Sequence, residues 1–398
     1  MTLARALINA GHQVDILGGD QHPLEVAGEE GEFSGHFFGE LHGHLSGWGE
    51  RRIGMFVLPR RRWIARKFAE SILARASDYD VIHYHGHFPN VGKYIPPDIN
   101  FVQTRHDQGG DCLINTRFRN GAMCSLLKPE DCASCVSPRP NIIQRAVSAF
   151  TVRTQRHDVI QAYQRHKTIF VSDMLRRNFA RVAGPGKWGV VVHNFVDAKS
   201  FRSALSSAQV SGRARGEKRV VFAAGKLYPA KGFDALLKTL TPKIPYDMEL
   251  VIAGDGPEEE RLRRTYESKS VKFLGWLSPA EILQSILEAD FVVVPSICEE
   301  SCSTTIFEGL LLGKPTFSLK RGGTPELEVY SMYPEQLRLS PDMESLVSDL
   351  VSFRSSVSVP LEFDDRCSVE RALPRLLEIY RAPPGQAPAA FTWDGYSR

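Results

Sequence analysis

The chain alternates short β-branched apolar runs with segments of helical spacing through both of its halves, and this alternation limits its fold more than any other feature. "FVVVP", Phe291 to Pro295, is the clearest case: four apolar residues closed by a proline. So short a run with no polar face reads as a strand buried on both sides, as in a parallel sheet covered by helices. "IFEGLLLGKP", which follows closely, has apolar residues at helical spacing and stop signals in Gly313 and Pro315. The same reading gives strands "HQVDIL", "VIHYH", "INFVQT", "TIFVS" and "GVVVHN" in the first half, and "RVVFAAG", "ELVIAGDG", "VKFLG", "FVVVP" and "PTFSL" in the second. The expected architecture is α/β, with two Rossmann-like doubly wound parallel-sheet domains facing each other across a cleft.

A chain of 398 residues is too long for one comfortable core, which agrees with two domains. Their expected bounds are 1–200, with a cysteine-rich insertion at about 107–140, and 219–366. The small, polar and basic stretch 201–218 reads as a linker. A helix at 367–382 is expected to pack back on the first domain, and 383–398 reads as a mobile tail. A formal charge of +3 gives no polyanion-binding signature, so no nucleic acid partner is expected. No apolar run approaches membrane-spanning length, the first residues lack a signal-peptide layout, and seven cysteines do not suit a secreted disulfide scaffold. The chain reads as cytoplasmic.

Three strand exits carry chemistry. In "GKLYPAKG", Gly225 is followed by Lys226 and Lys231, two ammonium groups suited to a diphosphate, with Gly232 letting backbone run close to a ligand. "AGDG" places Gly254 at another exit. After "FVVVP" comes Glu300 in a loop, then Ser303, Thr304 and Thr305 at the cap and first turn of a helix, then Glu308 more than one turn inside it. A helix N-terminus at such a crevice offers N–H groups to an anion. Acidic residues near a helix start are also favoured by the macrodipole alone, so the carboxylate pair by itself decides nothing.

"GKLYPAKG", "AGDGPEEERL", "VKFLGWLS", the E-x7-E of Glu300 and Glu308, "GGTPE", and in the first half "DVIHYHG", "TRHD", "FVSDMLRR" and "VVHNFVD" follow one another in an order that resembles GT-B glycosyltransferases of family 4, over about residues 1 to 380. The resemblance implies a retaining transfer of a hexose-type sugar from a nucleotide-diphosphate donor to a glycan, lipid-linked or small-molecule acceptor, without a catalytic metal or other cofactor. It implies that Gly225, Lys226, Lys231, Gly254, Ser303, Thr304 and Thr305 surround the donor diphosphate. Glu308 would then hold the ribose and Glu300 the transferred sugar, while His106 faces that sugar from the other domain. Charge on the leaving diphosphate would be met by Lys226, Lys231 and backbone N–H groups. Lys226 stands where the family usually has arginine, Ser303 where it has glycine, and Phe195 replaces the glycine of its N-G-V-D. Family members also precede the first helix with a strand and a glycine-rich loop, so the natural protein is expected to begin roughly 20 to 30 residues upstream. The rival enzyme is a sugar-nucleotide epimerase, which would convert donor with no acceptor present. The rival from another class is a non-catalytic binder of sugar nucleotides.

Two features lie outside that pattern. Cys112, Cys124, Cys132 and Cys135 have the spacing C-x11-C-x7-C-x2-C, which can close on a tetrahedral structural metal, zinc before an iron–sulfur cluster; four unrelated thiols are the plain alternative. The stretch 51–68 interleaves arginines with Phe56, Trp63, Ile64 and Phe68. It reads either as a solvated helix or as a basic face for peripheral contact with anionic lipid.

Overall fold

The computed structural model describes residues 1–19, 33, 35–41, 57–125, 127–135, 137, 139–207, 218–354 and 366–385. The second domain holds strands β9 (Arg219–Ala224), β10 (Met248–Ala253), β11 (Val271–Gly275), β12 (Phe291–Val294), β13 (Thr316–Leu319) and β14 (Leu337–Ser340). They form one sheet in the order β11-β10-β9-β12-β13-β14, parallel throughout. The strand order reverses between β9 and β12, so the loops leaving these two strands flank a crevice at the carboxyl edge.

Alternation of side chains across the strands sorts the core. Val221, Ala223, Phe291 and Val293 join one apolar cluster with Leu236, Leu237, Leu346 and Leu350. Phe222, Val292 and Val294 join another with Ile306, Phe307 and Leu310. Both faces of the sheet are thus covered by helices, which is why these strands carry no polar face.

The first domain has a four-stranded parallel sheet, β3 (Ile82–His85), β4 (Phe101–Arg105), β7 (Lys167–Phe170) and β8 (Val190–Val191), in that spatial order. A separate parallel pair, β1 (Ile16–Leu17) and β2 (Phe37–Phe38), precedes it, and an antiparallel hairpin, β5 (Phe118–Arg119) and β6 (Ala122–Met123), lies in the insertion after β4. Helix Val369–Arg381 returns to the first domain as expected. Its Leu376, Ile379 and Tyr380 pack with Val102, Ile169, Val190 and Val192. Buried Lys167 fixes the end of this helix by donating to the Ile379 carbonyl at 2.9 Å and to Asn100 Oδ1 at 2.7 Å.

Several elements depart from the sequence reading. Residues 198–207, the last seven of which fall in the expected linker, are a helix, Ala198–Ser207, with Ala198 and Phe201 buried. Local composition there is small and polar, but Phe201 packs with Leu283 and Ile286 of the second domain, and this tertiary contact fixes the helix. The expected strands 12–17 and 189–194 shorten to Ile16–Leu17 and Val190–Val191, while β2, β5, β6 and β14 were not anticipated. Residues 208–217, 51–56 and 386–398 of the linker, basic stretch and tail lie outside the described residues.

Candidate active site

The crevice between β9 and β12 is built by close backbone approach. Gly232 has φ +73°, and a Cβ there would sit 2.1 Å from the Pro295 carbonyl oxygen. Only glycine lets the turn after β9 lie against the loop after β12. Ile297 and Cys298 donate to the Ala230 carbonyl across the same contact, each at 3.1 Å. This brings Lys231 Nζ to 2.5 Å from Glu300 Oε1, which also accepts from Ser296 Oγ. Burial works against the Lys231 ammonium, yet the charge and hydrogen bond of Glu300 outweigh it and hold its pKa above the usual lysine value. Lys226 sits further out, exposed, 2.8 Å from exposed Asp255.

Helix Thr304–Leu311 begins beside this pair. Ser303 is its N-cap as expected but makes no side-chain capping bond. The free N–H groups and partial positive charge of its first turn therefore remain for an anion. Glu308, half-buried on this helix, has no hydrogen-bond partner among the described residues, and burial pushes its carboxyl up to about 7. An unsatisfied carboxylate is costly, so this position fits a group completed by a ligand.

The first domain brings its own strand exits to the same place. A cavity of about 320 Å³ is lined by His83, His85, Thr104 and His106, by His193 and Asn194, and by Thr304 of the second domain. His83 is a satisfied core group, bonded to Tyr380 Oη at 2.6 Å and Thr104 Oγ1 at 2.7 Å. His85 Nδ1 lies 3.1 Å from His106 Nε2. Desolvation by the surrounding protein lowers all three; repulsion from His85 and His106 adds to it at His83, repulsion from His106 at His85, which falls to about 3, and repulsion from Arg105 at His106. At neutral pH His106 is an uncharged imidazole, able to donate to or accept from a sugar hydroxyl.

Two carboxylates not singled out in the sequence cross from the second domain into the first. Glu299 Oε2 accepts from Asn178 Nδ2 at 2.9 Å and Gln108 Nε2 at 3.3 Å. Glu326 Oε2 and Oε1 accept from the backbone N–H groups of Asp173 and Met174 at 2.7 and 2.8 Å. Asn194 adds a bond from its Nδ2 to the Cys302 carbonyl at 2.8 Å. One apolar cluster also spans the boundary, containing Val171 and Met174 on one side and Cys302, Leu327 and Tyr330 on the other. The only sequence signal for Glu326 was its place after the glycine pair of "GGTPE"; Glu299 had none beyond adjoining Glu300.

The structure thus sets Lys231 against Glu300 and places His106 and Thr304 on one cavity, with Ser303, Thr305 and Glu308 on the helix that Thr304 opens and Gly225, Lys226 and Gly254 at neighbouring strand exits. The four clustered cysteines are unpaired thiols, and among the described residues no group of three or more His, Cys, Asp or Glu side chains is placed to hold a metal ion. The described part of the basic stretch is divided between core and surface. Within helix Val57–Leu73, Ile64 and Phe68 are core, Arg61 is buried, and Arg62 pairs with buried Asp158 at 2.6 Å; Trp63 stays 47% exposed. No helix among the described residues is long and apolar enough to cross a membrane.

Two parallel-sheet Rossmann-like domains, joined by a returning C-terminal helix and meeting at their strand exits, define the GT-B class. Solved structures of that class share the fold. A sucrose-phosphate synthase from Thermosynechococcus elongatus aligns over 95% of this chain and 91% of its own, with a TM-score of 0.63 at 17% identity. HepE from Anabaena, in complex with UDP and glucose, aligns over 92% and 99%, with a TM-score of 0.56 at 18% identity. The chain belongs to glycosyltransferase family 4: the profile "Glycosyltransferase Family 4" matches residues 1–200, and "Glycosyl transferases group 1" matches residues 218–348.

Among curated proteins, sulfoquinovosyl transferase SQD2 of Arabidopsis thaliana is 28% identical over 33% of this chain and 26% of its own length. A GDP-mannose-dependent monoacylated α-(1-6)-phosphatidylinositol monomannoside mannosyltransferase of Corynebacterium glutamicum is 28% identical over 39% and 45%. The phosphatidylinositol N-acetylglucosaminyltransferase GPI3 subunit of Saccharomyces cerevisiae is 26% identical over 48% and 44%. The matched stretch spans less than half of each of these relatives.

Proposed function

We propose that this chain is a cytoplasmic glycosyltransferase that moves a hexose-type sugar from a nucleotide-diphosphate donor to a glycan, lipid-linked or small-molecule acceptor, with retention and without a catalytic metal. The observation that carries the reading is Glu308, an unpartnered half-buried carboxylate on a helix whose N-terminal N–H groups lack a side-chain cap. A sugar nucleotide would satisfy both, its ribose hydroxyls donating to Glu308 and its diphosphate accepting at the helix start. As the bond from the anomeric carbon to the diphosphate breaks, its electron pair goes to the phosphate oxygen. Lys231, with Lys226 further out, meets that charge. Glu300, held by Lys231 and Ser296, and neutral His106 orient the sugar between them.

Two relatives named for phosphatidylinositol make a lipid-linked acceptor the first to test. Peripheral membrane contact belongs to the same reading. Trp63, Ile142, Ile143 and Phe150 supply exposed apolar side chains for it, rather than the buried Ile64 and Phe68. The donor is tested by thermal shift with UDP, GDP and ADP sugars. One base should stabilise the fold by about 2.7 kcal/mol at 100 times its Kd, a rise of several degrees. No shift with any of them would remove the donor site.

The cysteine cluster carries a separate structural proposal, one zinc ion held by Cys112, Cys124, Cys132 and Cys135. Burial pushes the Cys112 and Cys132 thiols up to about 12 and about 11, and Cys124 and Cys135 lie close enough to act on Cys132. Binding must therefore draw the side chains together and displace protons. Protein purified without added metal should contain about one equivalent of zinc, and chelation should destabilise the first domain. Folded protein free of metal would end the proposal.

A further inference from the structure

Glu326 joins elements that the sequence keeps far apart. It lies in the 3-10 turn Thr324–Tyr330 of the second domain, and its side chain is 18% exposed. Both oxygens accept from the first turn of helix Asp173–Ala183 in the first domain. Oε2 also faces His193 Nε2 at 3.2 Å, and His193 Nδ1 meets Tyr330 Oη at 3.0 Å. One carboxylate of the second domain thereby ties down the exits of both β7 and β8.

Each end of this tie reaches the reaction centre. On the first-domain side, Asn194 adjoins His193, bonds His106, and donates to the Cys302 carbonyl beside the Thr304 helix. On the second-domain side, Gly323 N donates to the Glu300 carbonyl at 2.7 Å, and a Cβ on Gly323 would lie 2.4 Å from the Ser301 carbonyl oxygen. The Glu326 turn is therefore strapped to the Glu300 loop. Movement of the first domain away from the second breaks the Glu326 bonds and carries His106 and Asn194 away from Cys302 and Thr304 together.

We propose that Glu326 is a positioning residue: it latches the first domain onto the second and so sets His106 opposite the Glu300 loop. This rests on the glycosyltransferase reading for its consequence, though not for its geometry. The latch is reversible, because on opening water can replace the bonds to the carboxylate and to the two N–H groups. It is also directional, since a negative charge at a helix N-terminus is favoured by the helix dipole. In Glu326→Gln one acceptor oxygen becomes an NH2 group that must face a backbone N–H, donor against donor.

The test uses the full chain and two variants. Glu326→Gln alters the carboxylate. Asp173→Pro removes one N–H at the first helical position, where proline is tolerated and Ser172 already has the extended backbone that precedes proline. Solution scattering should give the wild type a radius of gyration near the roughly 21 Å of a compact chain of this length, and both variants a larger one. With the sugar nucleotide selected by the thermal screen among UDP, GDP and ADP sugars, kcat should fall about tenfold, the loss of one charge-assisted hydrogen bond, while donor KM changes less than about twofold. Radii and kcat equal to wild type would overturn the proposal. So would a lower melting temperature with kcat unchanged, which would make Glu326 a helix cap and nothing more. If no nucleotide binds the wild type, the functional reading fails, and the scattering comparison still decides the latch.

Discussion

Lys231→Ala should slow sugar transfer by about 100- to 1,000-fold, the usual loss when one group that meets charge growing in a transition state is removed. Three features place the effect on the chemical step rather than on folding alone. The ammonium is held at the strand-exit crevice by a turn that only glycine can make at position 232. Its charge is fixed by Glu300 at 2.5 Å. It stands by the uncapped start of the Thr304 helix, where a diphosphate would be bound. Single-turnover rates measured over a donor titration separate the step from binding, and rate should fall further than affinity. Lys226→Ala is the internal comparison. That lysine is exposed and paired with exposed Asp255, so its loss should cost less than about tenfold. Equal losses from the two lysines would mean that both reach the diphosphate.

Glu308→Gln should weaken donor binding by at least about tenfold and stabilise the free protein above neutral pH. The two effects have one cause. The carboxyl is raised to about 7 by burial with no partner to offset it. For an acid whose folded pKa exceeds its unfolded one, the native state binds more protons, and stability falls as pH rises from the unfolded value through the folded one. That loss is absent at pH 4, grows from about pH 4.5 to 7, and is complete above it. Glutamine keeps the shape and removes the ionisation. The melting temperature of Glu308→Gln should therefore match wild type at pH 4 and exceed it at pH 8, while its nucleotide-induced shift shrinks at pH 8. A variant less stable than wild type at pH 8 would show that the carboxylate already has a partner in the free protein.

The sequence was sufficient wherever the physics is local. Strand and helix periods laid out most of the second domain, because its central strands are buried on both faces and carry apolar runs such as Phe291 to Val294, while β14, with Arg338 and Ser340 in its four residues, gave no such signal. Ser303 as cap, Gly232 as close-approach turn and Glu308 one turn into a helix are likewise set by neighbours a few positions away. Tertiary structure alone decided the rest. Composition read residues 201–207 as linker, but Phe201 finds a core to enter and the segment is a helix. The sequence could not tell which residues of 57–68 face solvent: Asp158, 96 positions from Arg62, takes that arginine and the core takes Ile64 and Phe68, while Trp63 stays exposed. Lys231 and Glu300 are separated by 69 positions, and Glu326 and Asp173 by 153; each pair meets because two strand-exit loops converge. Which carboxylate faces a ligand and which clamps the domains depends on those long-range contacts. Glu300, Glu308, Glu299 and Glu326 are the same residue in the sequence, and their surroundings in the fold distinguish them.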